Sequence, residues 1–115
     1  MDHLSAQQVA ARLQDAGQPA PLLLDVREPW EHDTARIAGA TLVPMSGLAA
    51  RIEEIASLQE DADGNPRQLI CLCHHGARSM QVAAFLEQHG FEQVANLTGG
   101  IHAWSLQVDS SVPTY

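Results

Sequence analysis

Residues 68–79, QLICLCHHGARS, decide the fold class that we predict for this chain of 115 residues. The run 68–72 is almost continuously apolar, which is typical of a strand buried on both faces of a sheet. Cys73 follows at once, and apolar residues at helical spacing predict a helix over 79–89. A strand that leads through a short loop into a helix is the repeating unit of a parallel α/β sheet.

The rest of the chain repeats this alternation. Ser5 and Gln8 form a capping-box pattern that predicts the start of a first helix, and the acidic segment 59–67 is predicted to be an exposed loop. We predict one α/β domain over residues 1–115, with a core over about 5–107, a tail over 108–115, and a parallel sheet flanked by helices on both faces, in three layers. Further strands are expected at 22–26, 41–43 and 94–97, a helical turn at 27–31, and helices at about 46–58 and 101–106.

The composition excludes several functions. Apolar residues make up 45% and charged residues 17% of the chain, and the mean hydropathy is −0.12, as in a globular protein. The net charge of −8 predicts that the surface binds neither nucleic acid nor an anionic membrane. All six basic residues are arginines, so no lysine is present to form a Schiff base or to hold a phosphate group.

The two cysteines and the N-terminal segment bear on the compartment. Cys71 and Cys73 are separated by one residue of a predicted strand, where a disulfide would be strained, so we expect free thiols and a reducing environment. Cys71 itself is interpreted as a buried strand residue. The first residues do not resemble a signal peptide, and no apolar stretch approaches the roughly 20 residues of a membrane span. A cytoplasmic location is the expectation.

Cys73 occupies a position that favours a reactive thiolate. A turn between a strand and a helix directs several backbone N–H groups and the positive end of the helix dipole towards one point. Arg78 adds a permanent positive charge to this loop, Gly76 permits an unusual backbone conformation, and His74 and His75 are further donors. This combination suits a cysteine that must be anionic and then hold a second, anionic sulfur atom.

Four segments in order also resemble the rhodanese family, and in particular its single-domain, thiosulfate sulfurtransferase-like members. Residues 24–31 (LDVREPWE) are similar to its DVRE-type segment, and residues 37–40 (IAGA) to its I-x-G-A element. Residues 73–79 (CHHGARS) resemble its C-x-x-G-x-R-S active loop, and the stretch 90–104 resembles its closing segment. The resemblance extends over about residues 5–107.

The resemblance implies a function and a set of site residues. Cys73 would be the nucleophile that carries sulfur as a persulfide, and Asp25 and Arg27 would support the active loop, although a purely structural ion pair explains these two equally well. It implies a small sulfur donor such as thiosulfate and cyanide or a thiol as acceptor, with thioredoxin and sulfur-relay proteins open as partners. No cofactor and no metal are expected. The loop that would bind the transferred sulfur comprises His74, His75, Gly76, Ala77, Arg78 and Ser79.

The chain departs from the family pattern in two places. Ala35 and Arg36 stand where many relatives have Gly-His, and Ala38 stands where proline is frequent. The active loop also contains a single basic residue other than histidine, which favours a substrate other than the small dianion thiosulfate.

Three alternatives compete with the transferase. Cysteine phosphatases and arsenate reductases place five residues between cysteine and arginine, whereas four separate Cys73 from Arg78. A metal site built from Cys71, Cys73, His74 and His75 is disfavoured because neighbouring residues cannot readily surround one ion tetrahedrally. A non-catalytic binding module would usually lack the cysteine.

The aromatic residues are given structural interpretations. Trp30 and Trp104 could border the mouth of the site, but a packing role is predicted for both. The tail segment 112–115 ends in an aromatic residue and would dock on the domain or on a partner, which the sequence does not decide.

Overall fold

A computed structural model of the chain describes residues 1–115 and contains one five-stranded sheet. The strand order is β1-β5-β4-β2-β3, and every pair of neighbours is parallel. The predicted fold class, a parallel sheet with helices, is confirmed. The strands are β1 (Asp2–Leu4), β2 (Leu22–Asp25), β3 (Thr41–Leu42), β4 (Leu69–Leu72) and β5 (Val94–Leu97).

Helices cover both faces of the sheet. Along β4, Leu69 and Cys71 belong to one apolar cluster, while Ile70 and Leu72 belong to another on the opposite face. This alternation explains why β4 is apolar throughout, because both faces of the strand are buried. Side chains of α3 and α4 pack in the first cluster and those of α1 and α5 in the second. The helices are α1 (Ala6–Gln14), α2 (Pro29–Thr34), α3 (Ile52–Gln59), α4 (Ala77–Gln88) and α5 (Gly100–Gln107).

Several predicted boundaries need correction. The capping box of Ser5 and Gln8 is present, with both reciprocal hydrogen bonds formed. The helix predicted over 46–58 is instead a 3-10 helix, Met45–Arg51, followed by α3. Helix α4 begins at Ala77 rather than Ser79, so the final residues of the predicted loop already belong to its first turn.

Strand β1 was not predicted from the sequence. It has three residues and pairs only with β5, at the edge of the sheet. So short a segment shows no apolar periodicity, and its strand conformation depends on hydrogen bonds to residues more than 90 positions away in the sequence, as in the pairing of His3 with Asn96.

The two tryptophans differ. The packing role predicted for Trp104 agrees with its burial, since 6% of the residue is exposed. Trp30 is instead 61% exposed and meets the ring of Tyr115 edge to face, with 5.8 Å between ring centroids. The tail thus returns to the folded chain, where Val112 joins the apolar cluster that contains Trp104.

The longest helix, α4, has 12 residues, and no helix has both the length and the hydropathy that a membrane crossing requires.

Candidate active site

The loop after β4 lies at the carboxyl end of the sheet, between the ends of β2 and β5. In parallel α/β sheets this edge is where ligands bind. Cys73 is the first residue after β4, and only 1% of it is exposed. Its predicted place, between a strand and the start of a helix, agrees with the structure.

Two donors reach the Cys73 sulfur. The backbone N–H of Gly76 donates to Sγ at 3.1 Å, and the Ser79 hydroxyl lies 3.3 Å from it. The same hydroxyl is 2.5 Å from Oδ1 of Asn96 and 3.2 Å from the carbonyl oxygen of Gly76. Since a hydroxyl has one hydrogen, it donates to one of these acceptors at a time. Asn96 on β5 therefore controls how far Ser79 is available to the sulfur.

Gly76 shapes the loop through its backbone. Its φ of 106° lies in the left-handed region that side chains disfavour, and a Cβ there would come within 3.2 Å of the Gly99 backbone nitrogen. Gly76 is also the N-cap of α4, so the positive end of a 12-residue helix begins next to Cys73. The glycine thus allows the N–H group to point at Sγ.

The turn before α5 holds the loop from the other side. The N–H groups of Ile101 and His102 donate to the carbonyl oxygens of Cys73 (2.9 Å) and His74 (3.1 Å). A Cβ on Gly100, whose φ is +62°, would clash with both of these carbonyl groups. Residues of the closing segment 90–104 therefore pack directly on the active loop.

Arg78 is paired with a carboxylate. Its guanidinium donates to both oxygens of Glu31, at 2.7 and 2.8 Å. These bonds, with further ones from the N–H of Glu28 and the hydroxyl of Tyr115, hold the pKa of Glu31 down to about 2. The positive charge of Arg78 is consequently neutralised by Glu31. Glu31 was not predicted from the sequence, because 47 positions separate it from Arg78.

Asp25 and Arg27 form a fully buried ion pair at the end of β2. Two Arg27 nitrogens donate to the Asp25 carboxylate at 2.9 and 2.6 Å. Arg27 also donates to the carbonyl oxygens of Glu31 (3.1 Å) and Ala35 (2.6 Å). Arg27 is connected to the active loop through Glu31, whose carboxylate pairs with Arg78. The supporting role of Asp25 and Arg27 stays a prediction, and this series of contacts joins the ion pair to the loop.

The loop histidines meet a third one. His74, His75 and His102 lie together, with ring centroids 4.0 to 6.2 Å apart. The ring of Tyr115 stacks on His74 at 3.9 Å with an interplanar angle of 7°. Burial, followed by the nearby His75, lowers the pKa of His74 below its usual value. No sequence signal linked His102 or Tyr115 to the loop.

Two cavities differ in whether they border the active loop. One of about 270 Å³ is bordered by His75, Gly76 and Ala77 of the loop, with Asn96 and Met80 among its other residues. A larger groove of about 460 Å³ runs between the segment 33–38 and the tail and contains none of the predicted site residues. The donors that converge on Cys73 Sγ lie at the loop and not in this groove.

Comparison with known proteins identifies the family. The rhodanese-like domain model matches residues 5–107. The chain is 44% identical over 94 residues to rhodanese-like/PpiC domain-containing protein 12, chloroplastic, of Arabidopsis thaliana, and 34% identical over 105 residues to adenylyltransferase and sulfurtransferase MOCS3-1 of Zea mays. These alignments cover 81% and 90% of this chain but 30% and 22% of the relatives, so the chain spans a minor part of either.

A shorter relative and a solved structure match along most of their length. A sulfurtransferase of Allochromatium vinosum is 33% identical, over 91% of this chain and 89% of its own. The crystal structure of a rhodanese-related protein from Thermoplasma volcanium superposes with a TM-score of 0.73 at 27% identity, covering 98% of this chain and 96% of that one. Sequence and structure thus agree with the family model, and the chain belongs to the rhodanese-like domain family.

Proposed function

We propose that the protein is a sulfurtransferase that carries sulfane sulfur as a persulfide on Cys73. The carrying observation is that the Gly76 N–H and the Ser79 hydroxyl both lie within hydrogen-bonding distance of Cys73 Sγ. Donors aimed at sulfur stabilise a thiolate before the transfer and the anionic persulfide after it. Relatives named as sulfurtransferases support this reading.

The reaction consists of two displacements. With thiosulfate as donor, the Cys73 thiolate attacks the outer sulfur, an S–S bond forms, and the S–S bond of thiosulfate breaks as sulfite leaves with its electron pair. A nucleophilic acceptor, cyanide or a thiolate, then attacks the terminal sulfur, and the Cys73 thiolate leaves. With cyanide the product is thiocyanate, and no net oxidation or reduction by an outside reagent is needed.

The burial of Cys73 favours sulfur transfer over phosphate chemistry. Because only 1% of the residue is exposed, a donor reaches Sγ with its terminal atom first. A single sulfur atom suits so covered a nucleophile better than a tetrahedral phosphorus centre. The four-residue spacing between Cys73 and Arg78 supports the same choice.

The charge around the loop bears on the donor. Since Arg78 is engaged by Glu31, backbone amides supply most of the attraction for an anion. We propose that a thiol-bound persulfide is a better physiological donor than the dianion thiosulfate. A thiol acceptor in a reducing, cytoplasmic setting, such as thioredoxin or a sulfur-relay protein, fits two free cysteines.

Intact-mass spectrometry after incubation with thiosulfate tests the proposal. The expected result is a mass gain of one sulfur atom, which disappears when cyanide or a thiol is added. Cys73→Ser should gain nothing. Cys71→Ala is the matched control and should gain sulfur as the parent does, because the Cys71 thiol is buried in the strand and its burial raises its pKa to about 12.

Two results would contradict the proposal. An unchanged mass after incubation with thiosulfate and with a small-molecule persulfide would indicate a non-catalytic module. Hydrolysis of an aryl phosphate without any sulfur adduct would indicate a phosphatase.

A further inference from the structure

Three histidines form a cluster at the active loop, to which two of them belong, and the proposed transfer assigns no chemical step to their side chains. One ring nitrogen from each of His74, His75 and His102 lies within 4.8 Å of those of the other two. We propose that His74, His75 and His102 bind one divalent transition-metal ion of the Zn²⁺, Co²⁺ and Ni²⁺ class. This site differs from the cysteine-containing set that the sequence analysis disfavoured, and it departs from the prediction that the chain holds no metal.

The backbone holds the three residues together in advance. His74 and His75 belong to the loop after β4, and His102 is the third residue of α5. The N–H of His102 donates to the carbonyl oxygen of His74 at 3.1 Å, and the tight turn at Gly100 seats α5 on the loop. Ligands supplied by a fixed loop and a fixed helix lose little conformational freedom on binding an ion.

Two of the ring nitrogens lack a partner in the protein. Nε2 of His74 and Nδ1 of His102 are buried, and no protein group lies within hydrogen-bonding distance of either. A buried polar atom left unpaired costs about 1–3 kcal/mol, so native proteins rarely leave two such atoms in one cluster of side chains without a purpose. Coordination to a metal ion would satisfy both atoms.

The distances suit a tetrahedral ion after small adjustments. Zn–N bonds of about 2.0–2.1 Å place tetrahedral nitrogen ligands roughly 3.4 Å apart. Binding one tetrahedral ion therefore requires the rings to move from their present separations of up to 4.8 Å towards that value. His75 is exposed, with its ring 4.0 Å from that of His74, and His74 is stacked on the ring of Tyr115, so the movement falls mainly to His75.

The chemistry of the donors selects the class of ion. Neutral imidazole prefers zinc, cobalt, nickel and copper to the hard cations magnesium and calcium. Three protein ligands leave one position open for an exogenous ligand, as in catalytic rather than structural zinc sites.

Calorimetric titration of the untagged, reduced full chain with Zn²⁺, and visible spectroscopy with Co²⁺, test the site. The expected result is one ion per chain and a tetrahedral-type cobalt spectrum without a sulfur-to-metal charge-transfer band. His102→Ala and His75→Ala should each weaken binding by about 100-fold or more, since loss of even a supporting partner costs roughly 10- to 100-fold. Circular dichroism checks that the variants fold, and the exposed His75 makes its variant safe in this respect.

Two controls separate the cluster from other metal-binding groups. His89→Ala removes an exposed histidine outside the cluster, whose Nδ1 contacts the carbonyl oxygen of Phe85, and should leave the affinity unchanged. Cys73→Ser should also retain binding, so the outcome does not depend on the sulfur-transfer proposal. Loss of binding in Cys73→Ser, an unaltered affinity in both cluster variants, or the absence of one-to-one binding would each overturn the proposal.

Discussion

The ends of β4 and β2 lie side by side at the same edge of the sheet, yet they use their polar groups in opposite ways. After β4, the Gly76 N–H and the Ser79 hydroxyl converge on one sulfur atom. After β2, Arg27 donates to the Asp25 carboxylate and to two carbonyl oxygens of the following segment. The end of β4 therefore presents the sulfur of Cys73 as a nucleophile. At the end of β2, the charges of Asp25 and Arg27 neutralise each other.

The buried ion pair and the proposed nucleophile thus lie at the ends of different strands. The buried ion pair fixes where Glu31 stands, and Glu31 in turn fixes Arg78. We therefore expect substitutions near β2 to act mainly on stability and substitutions in the loop to act mainly on sulfur transfer.

The largest expected effect comes from breaking the ion pair at the end of β2. Arg27→Ala would leave the fully buried Asp25 carboxylate without its cation, and such losses cost about 3–5 kcal/mol in the free energy of unfolding. Urea denaturation followed by circular dichroism measures it. Arg51→Ala is the control, because Arg51 pairs with Glu54 at the exposed surface and should change nothing measurable. A loss below about 1 kcal/mol for Arg27→Ala would contradict the role assigned to the pair.

The next effect concerns acid stability through Glu31. Its pKa is held at about 2 in the folded state, below the usual value of 4.5, so its stabilising contribution is complete above that usual value and declines as the pH falls towards 2. We expect the parent protein to lose about 1.5 kcal/mol more than Glu31→Gln between about pH 7 and about pH 3, less than the full shift because part of the loss falls below pH 3 and because Arg78 is 38% exposed. Unfolding curves at both pH values measure the difference. Equal losses would show that Glu31 is not the group concerned.

A smaller effect is expected at the sulfur itself. Ser79→Ala removes one of two donors near Sγ and should slow persulfide formation about 10-fold, as expected for one hydrogen bond to a charged group. Single-turnover mass spectrometry gives the rate. Ser105→Ala is a matched control, since the Ser105 hydroxyl is also buried and bonds to a helix carbonyl, that of Ile101, away from the sulfur. If both variants slow equally, the Ser79 hydroxyl has no specific part in the transfer.

The smallest effect tests whether the tail contributes to stability, as the residues after β2 do, or to sulfur transfer. Tyr115→Phe removes a hydroxyl that accepts from Arg27 at 2.9 Å and donates to Glu31 at 2.7 Å but keeps the ring that stacks on His74. We expect the free energy of unfolding to fall by about 0.5–1.5 kcal/mol and the rate of persulfide formation to stay unchanged. A slower transfer with unaltered stability would assign the tail to the loop instead.

Local patterns account for what could be predicted from the sequence. The apolar run before Cys73, the glycine three residues later and the helix that follows are neighbours in the chain, so their arrangement follows from backbone rules. The capping box at Ser5 is equally local, and it formed as expected. The predictions that failed concern element boundaries and short elements, such as β1 and the 3-10 helix Met45–Arg51, because few residues there carry any periodic signal.

By itself, then, the sequence determined a parallel α/β sheet and a cysteine at the end of one strand, because strand, loop and helix signals are contiguous there. Only the tertiary structure decided what surrounds that cysteine. Asn96 reaches Ser79 across 17 positions, Arg78 reaches Glu31 across 47, and Tyr115 reaches Glu31 across 84. Such contacts depend on how β2, β4, β5 and the tail converge at one edge of the sheet, and no local propensity encodes which side chains will meet there.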